Sequence, residues 1–418
     1  FEAAFTAFIE ERRETPEEVD AAVRDVLAAV RTEGLDAVLR FGRQFDRANV
    51  DEATIRVSAE EIAEGAAQCA PEVREAIAFA AARIRAYHER QRPADAQFTD
   101  EAGVELGWRW TALEAVGIYV PGGRAAYPST VLMNAVPAAV AGVERIAMVT
   151  PPGRLEPAVL AAAREAGVSE IWRVGGAQAV AALAYGAGPI APVDKIVGPG
   201  SDYVTAAKRQ VYGVVGIDAL AGPSEIVVVA DAANDPEWIA ADLLSQAEHD
   251  PAAQSILITD DAEFAAQVEA AVARQLETLA TGQDAAASWR DHGAVVIAPL
   301  DRSPGLVDLI APEHVEFATE APERLAGRVR HAGAIFLGRH TPEAIGDYVA
   351  GSNHVLPTSR AARFSSGLSI YDFIKRTSIV RCDPASFAIL GPHTAVLAEA
   401  EGLPAHQRSA AIRLETSR

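Results

Sequence analysis

Apolar and polar positions follow two rhythms along this chain. Through the first ninety or so residues, apolar side chains recur at helical spacing. Thr15-Pro16-Glu17-Glu18 has the pattern of a capping box with proline at the first helical position, and it predicts an amphipathic helix to about Arg31. Ser58-Ala59-Glu60-Glu61 repeats the device and predicts one long helix to about Arg90. Beyond it, short apolar runs alternate with helical stretches. Residues 116–120, 145–150, 170–174 and 195–197 make one series, and 225–230, 255–259, 294–298 and 333–337 make a second. Strands alternating with helices of roughly 10–15 residues indicate βαβ units and parallel sheets. The predicted class is α/β, with two Rossmann-like parallel-sheet domains and smaller helical segments at the N- and C-terminal ends. Residues 361–380 are polar and rich in Arg and Ser, and 387–401 are apolar enough to pack on something. A C-terminal helix docked on its own subunit is the favoured reading of that tail, with an exchanged arm as the alternative.

Composition narrows the function. The 418 residues suffice for two or three domains with sizeable cores. Half are hydrophobic and 23% are charged, as in an ordinary globular protein. The net charge of −21 argues against nucleic-acid binding, because a phosphate backbone would be repelled. Two cysteines, Cys69 and Cys382, make no disulfide framework and no C-x-x-C pair, which fits a reducing compartment. Acids stand near the N-terminus where a signal peptide needs bases, and no run reaches the roughly 18–20 apolar residues that span a bilayer. A cytoplasmic protein without membrane or nucleic-acid partners is expected.

Four small-residue turns follow predicted strands: Pro121-Gly122-Gly123, Gly175-Gly176, Gly198-Pro199-Gly200 and Gly222-Pro223-Ser224. None completes a G-x-G-x-x-G fingerprint, since Tyr203 stands where the third glycine would follow Gly198 and Gly200. Each alone reads as an ordinary β-to-α turn. Four of them at the same end of one predicted sheet also suit a dinucleotide crevice, and both readings stand. The second half of the chain carries nitrogen and oxygen ligands without a thiolate: Gln246, His249, Asp347 and His406. Such a set suits a zinc ion that binds and polarises a small substrate. Gln246 and His249 share a helix face at the end of predicted helix 236–247. A helix-terminal histidine and a solvated acid are the bland alternatives, and spacing alone does not make the four converge. Glu313-His314 is a neighbouring acid and base that suits proton transfer and activation of a water, against an exposed acidic turn.

Longer motifs join these residues. Val116-Gly-Ile-Tyr-Val-Pro-Gly-Gly123, Val174-Gly-Gly-Ala-Gln-Ala179, Ala221-Gly-Pro-Ser-Glu225, Leu243-Leu-Ser-Gln-Ala-Glu-His249, Asn353-His-Val-Leu-Pro-Thr358 and Ala362-Arg-Phe-Ser-Ser-Gly-Leu-Ser369 resemble those of the histidinol dehydrogenases. The resemblance implies a zinc-dependent, NAD-linked four-electron oxidation of L-histidinol to L-histidine through bound L-histidinaldehyde, the last steps of histidine biosynthesis. It implies one zinc per subunit, held by Gln246, His249 and Asp347 with His406 of the partner subunit. Glu313 and His314 fall on the catalytic pair. Ser224 and Glu401 fall on substrate-holding positions, which the metal ligands and His314 share. Tyr119 and Gln178 fall on cofactor contacts. So does Ser201, where the family has asparagine; serine keeps a hydroxyl and loses the amide fork. Ser359-Arg360 also stand where glycine is expected.

The implied assembly is a homodimer with exchanged terminal segments. The implied division is a helical arm over 1–32, a first α/β domain over 33–115 plus 223–365 with most zinc ligands, a cofactor-side α/β domain over 116–222, and a tail over 366–418 that reaches the partner subunit. The rival readings are a related zinc and NAD alcohol dehydrogenase acting on a substrate such as a dihydroxy sulfonate, a zinc hydrolase, and an inactive binding protein. Cysteine nucleophiles are rejected, because Cys69 and Cys382 lie outside every motif.

Overall fold

The structure is a computed structural model that describes Phe5 and residues 17–47, 49–122 and 127–416. Thr15 and Pro16 of the first predicted capping box, and Gly123 of the first glycine turn, lie outside the described residues. Helix Glu17–Glu33 places Val23, Val26, Leu27 and Val30 on one buried stripe. It ends at Gly34, whose φ of 59° suits glycine and turns the chain into helix Leu35–Phe45. The second capping box forms as predicted, with Ser58 Oγ accepting from the Glu61 amide at 3.1 Å and Glu61 Oε2 accepting from the Ser58 amide at 2.9 Å. The single long helix predicted behind it is two: Ala59–Ala67 and Pro71–Glu89. Pro71 disfavours helical backbone at Ala70, which is extended at ψ 140°.

The chain divides into two compact units, residues 1–91 with 114–373 and residues 92–113 with 374–418. In the smaller unit, β1 (Ala96–Thr99) and β2 (Glu105–Ala112) form an antiparallel hairpin. In the larger unit, β3 (Ala115–Tyr119), β4 (Arg145–Thr150), β5 (Glu170–Arg173), β6 (Lys195–Val197) and β7 (Gly216–Ile217) form a parallel sheet in the order β5-β4-β3-β6-β7. A second parallel sheet holds β8 (Glu225–Ala230), β9 (Gln254–Thr259), β10 (Ala294–Ile297), β11 (His314–Ala318) and β12 (Ala334–Leu337) in the order β10-β9-β8-β11-β12. Both are Rossmann-like, with chain order reversing between β3 and β6 and between β8 and β11. The last strand, β13 (Ile374–Arg381), pairs antiparallel with β2 along its whole length. Helices Pro384–Ala400 and Pro404–Thr416 follow it and pack together. The C-terminal segment is therefore not purely helical. Lys375, Arg376, Ser378 and Arg381 hid the strand, because an exposed strand need not show an apolar run.

All eight predicted strands form within about one residue of expectation. The central strand β11 escaped prediction. Its His314 and Glu316 interrupt the apolar run that a strand buried on both faces ordinarily shows. The helices of the first ninety residues join the first sheet's layer. Val23, Val26, Leu27, Val30, Ala37 and Val38 pack with Trp172, Val180 and Leu183, and Gly65 lies against Leu160. The N-terminal helix thus packs in this core, and the helices between residues 35 and 89 lie with the first sheet. An amphipathic stripe shows that a helix packs, and not on which sheet. No helix among the described residues is long and apolar enough to cross a membrane.

Candidate active site

The second sheet sets the site at the amino ends of β8 and β11. A crossover helix runs antiparallel to its strands, so its C-terminal end returns to that edge. Helix Pro236–Ala247 brings Gln246 there in its last turn, and His249 follows just beyond the helix end, its amide donating to the Gln246 carbonyl at 3.2 Å. Helix Glu343–Tyr348 brings Asp347. Helix Ser303–Ile310 stops at Ala311, a non-glycine residue at φ 51°, and Pro312 leads the chain into Glu313 and His314.

Glu313 and His314 are both buried, which overturns the exposed-turn alternative. They grip one peptide residue from two sides. Glu313 Oε2 accepts from the Glu225 amide at 3.0 Å, and His314 Nδ1 lies 3.1 Å from the Glu225 carbonyl oxygen. A carbonyl only accepts, so Nδ1 carries the proton and Nε2 keeps its lone pair. Nε2 is buried without a hydrogen bond, 3.7 Å from Glu343 Oε1 and 3.8 Å from Asp347 Oδ1. Burial drives the His314 pKa down to about 3, against the pull of the Glu225 carbonyl, with His354 and His249 lowering it further. The imidazole is therefore neutral, with the Nε2 lone pair unprotonated. Burial pushes Glu313 well above the usual carboxylate range; the Glu225 amide opposes this, and Glu225, Asp347 and Glu343 add to it. Burial likewise raises Glu343 to about 8 and Asp347 to about 6, each carboxyl standing close to the other.

The ligand atoms of His314, Glu343 and Asp347 lie within 4.8 Å of one another. Asp347 was predicted as a ligand, His314 as the base, and Glu343 was not predicted. The side-chain oxygen of Gln246 is buried without a hydrogen-bond partner, as are His314 Nε2 and Glu343 Oε1. Buried polar atoms left without partners are costly unless something else meets them. A nitrogen and oxygen donor set with these orphaned atoms fits a divalent cation such as zinc. His249 is exposed and lies within electrostatic reach of His314, His354 and Glu343. Ser224 stands immediately before β8, half-buried, its carbonyl accepting from the Gln254 amide at 2.9 Å. Glu401 and His406 belong to the smaller unit and are exposed, Glu401 directly after helix Pro384–Ala400 and His406 in the first turn of Pro404–Thr416.

Sequence reasoning missed Glu343, Glu316, Asp242 and His354. His354 Nδ1 donates to the Asp347 carbonyl oxygen at 3.0 Å. The available signal was spacing: Glu343 and Asp242 stand four residues before Asp347 and Gln246, and Glu316 two after His314.

The predicted cofactor residues gather at the carboxyl ends of the first sheet. Tyr119 ends β3; its hydroxyl accepts from the Gly176 amide at 2.9 Å, and burial raises its pKa to about 12. Gln178, buried in helix Gly176–Tyr185, donates to Asp46 Oδ2 at 3.3 Å. Ser201 occupies the N-cap of helix Asp202–Val211 and makes no capping bond with its side chain. Between β3 and β6, where the strand order reverses, Gly198 has φ 108°, and a Cβ there would meet the Tyr119 carbonyl oxygen at 2.3 Å. The buried Lys208–Asp218 ion pair clamps this turn. Asp218 Oδ2 accepts from the Gly198 amide at 2.7 Å, and Lys208 Nζ donates to the Gly198 carbonyl at 3.0 Å. Glycine-lined turns at a switch point, ahead of helix starts without side-chain caps, suit a dinucleotide. The expectation of glycine at Ser359-Arg360 has a physical basis, since both adopt left-handed backbone, at φ 53° and 62°.

Comparison with known proteins agrees with this geometry. The histidinol dehydrogenase family profile matches residues 9–414. The chain is 80% identical over 414 residues to histidinol dehydrogenase of Caulobacter vibrioides, covering 99% of this chain and 97% of that one. It is 61% identical over 417 residues to the histidinol dehydrogenase of Mesorhizobium japonicum, with coverage of 99% and 97%. The crystal structure of histidinol dehydrogenase from Elizabethkingia anophelis superposes with a TM-score of 0.94 at 36% identity, covering 99% of this chain and 96% of that one.

Proposed function

The chain belongs to the histidinol dehydrogenase family of oxidoreductases, and from that premise we propose that it oxidises L-histidinol to L-histidine in two NAD-linked steps through a bound aldehyde. The observation that carries the proposal is the His314 tautomer: Nδ1 is tied to the Glu225 carbonyl, and Nε2 is free beside Asp347 and Glu343. Gln246, His249 and Asp347 would hold a zinc ion together with His406 of the partner subunit, in a homodimer with exchanged terminal segments. Tyr119, Gln178 and Ser201 would contact NAD. When bound, zinc would hold and orient the amino alcohol and NAD would accept hydride.

The chain's own groups manage the protons. His314 Nε2 takes the hydroxyl proton of the alcohol. Glu313 activates the water that adds to the aldehyde, and His314 takes the remaining hydroxyl proton before the second oxidation. Burial raises the Glu313 carboxyl well above the usual carboxylate range, which makes its ionised form a stronger base. Glu401 would pair with the substrate ammonium, and Ser224 would hold the substrate at the head of β8. Such an enzyme would serve the end of histidine biosynthesis in the cytoplasm.

The test is a stoichiometry. Purified protein with NAD and L-histidinol should produce two equivalents of NADH per substrate consumed, and prior removal of metal by a chelator should suppress this. No NADH from L-histidinol would overturn the assignment. Full activity after verified demetallation would overturn the zinc.

A further inference from the structure

Behind the residues proposed to act lies a row of acids to which nothing above assigns a role. Each element that carries a site residue also carries a carboxyl one step away. On helix Pro236–Ala247, Asp242 stands four residues before Gln246. On β11, Glu316 stands two residues after His314. On helix Glu343–Tyr348, Glu343 stands four residues before Asp347. Helical period and strand alternation place each acid on the same face as its site residue. Glu316 and Glu343 are buried, at 3% and 1% exposure.

The Asp242 carboxyl stands close to that of Glu316. Glu316 Oε1 accepts from the backbone amide of Glu343. Glu343 Oε2 accepts from Ser245 Oγ at 3.0 Å, and the Asp347 carboxyl stands nearby. The Glu343 amide is the first of its helix, one of the donors that a helix start leaves without an intrahelical acceptor. Pro342 precedes it and offers no side-chain cap. A strand residue from across the layer thus supplies the acceptor that a local cap would ordinarily provide.

We propose that Glu316 is a positioning residue that pins the start of helix Glu343–Tyr348 to β11 and so sets the separation of Asp347 from His314. The position needs a side-chain oxygen that accepts from the Glu343 amide. A carboxyl and a glutamine amide each supply one, and leucine does not. The pinning concerns the fold alone; its consequence for metal rests on the proposed role of Asp347 as a ligand.

The experiment compares full-length Glu316→Gln and Glu316→Leu with the unsubstituted protein by two readouts. One is amide hydrogen exchange over residues 343–348, and the other is affinity for Zn²⁺ alone by competition with a chelator. Glu316→Leu should speed exchange in that segment and weaken zinc binding about 10- to 100-fold, the usual effect of losing a group that orients a ligand. Glu316→Gln should restore both, which a requirement for carboxylate charge would not allow. Unchanged exchange in Glu316→Leu, or equal damage in the two variants, overturns the proposal. If the unsubstituted protein takes no zinc while exchange responds as stated, the metal reading falls and the pinning stands. Should Glu316→Leu not fold, Glu316→Ala removes the same acceptor; it should also speed exchange over 343–348, and no change there sinks the idea.

Discussion

His314 differs from an ordinary surface histidine in two ways, and both come from its surroundings. The Glu225 carbonyl selects the tautomer, and burial removes the charge. Replacement by asparagine should cut turnover by roughly 10² to 10⁴, the span for losing a general base, with bound zinc near normal. Steady-state kinetics with metal analysis checks this, and full turnover would remove His314 from the mechanism. His88 offers a second case, away from the site. It is fully buried, with Nδ1 2.8 Å from Gln91 Oε1, and burial holds its pKa below the usual value. Its folded form therefore binds protons less readily than its unfolded form. Protonation favours unfolding as pH falls below about 6.5. Thermal melts should show a smaller loss of Tm between pH 7.5 and pH 5 in His88→Leu than in the unsubstituted protein. An equal loss would mean that other groups carry the acid sensitivity.

At the scale of elements, the Gly198 turn and helix Glu343–Tyr348 are each held by buried polar groups from a neighbour. Lys208 lies on helix Asp202–Val211, and Asp218 directly follows β7. Their pair is almost fully buried, with side-chain exposures of 3% and 5%, and it secures both backbone polar groups of Gly198. Removing one partner strands the other charge out of water. Lys208→Met should therefore cost about 3–5 kcal/mol in urea unfolding and raise the KM for NAD. A loss under about 1 kcal/mol would show that Asp218 finds another partner. The break at Pro71 works at the same scale. A proline that cannot continue a helix makes two packing helices where one was predicted.

At the scale of the molecule, the proposed dimer has a direct test. His406 and Glu401 sit in the smaller unit, on whose helix Pro384–Ala400 the apolar Val396 and Leu397 are 66% and 65% exposed. Exposed large apolar side chains suit a covered interface. His406→Ala should be inactive alone. Refolded as a mixture with inactive His314→Asn, it should recover part of the activity if sites are shared between subunits. No recovery in the mixture would assign each site to one chain.

Several features were legible from short-range pattern. Strand and helix alternation sufficed for two parallel sheets, because an apolar run between turn residues reports local burial directly. Motif residues sufficed to nominate Asp347, His314, Tyr119 and Gln178. The tertiary structure decided what depends on distant neighbours. The strand β11 was hidden because its polar residues are buried by partners such as Glu225, 89 residues before His314. The acids Asp242, Glu316 and Glu343 read as ordinary charges until folding enclosed them together, since the cost of burying a charge is set by what surrounds it and not by its own identity. Sheet membership of the N-terminal helices was likewise undecided by their stripes, because an apolar face fits either sheet and only the assembled layers choose between them.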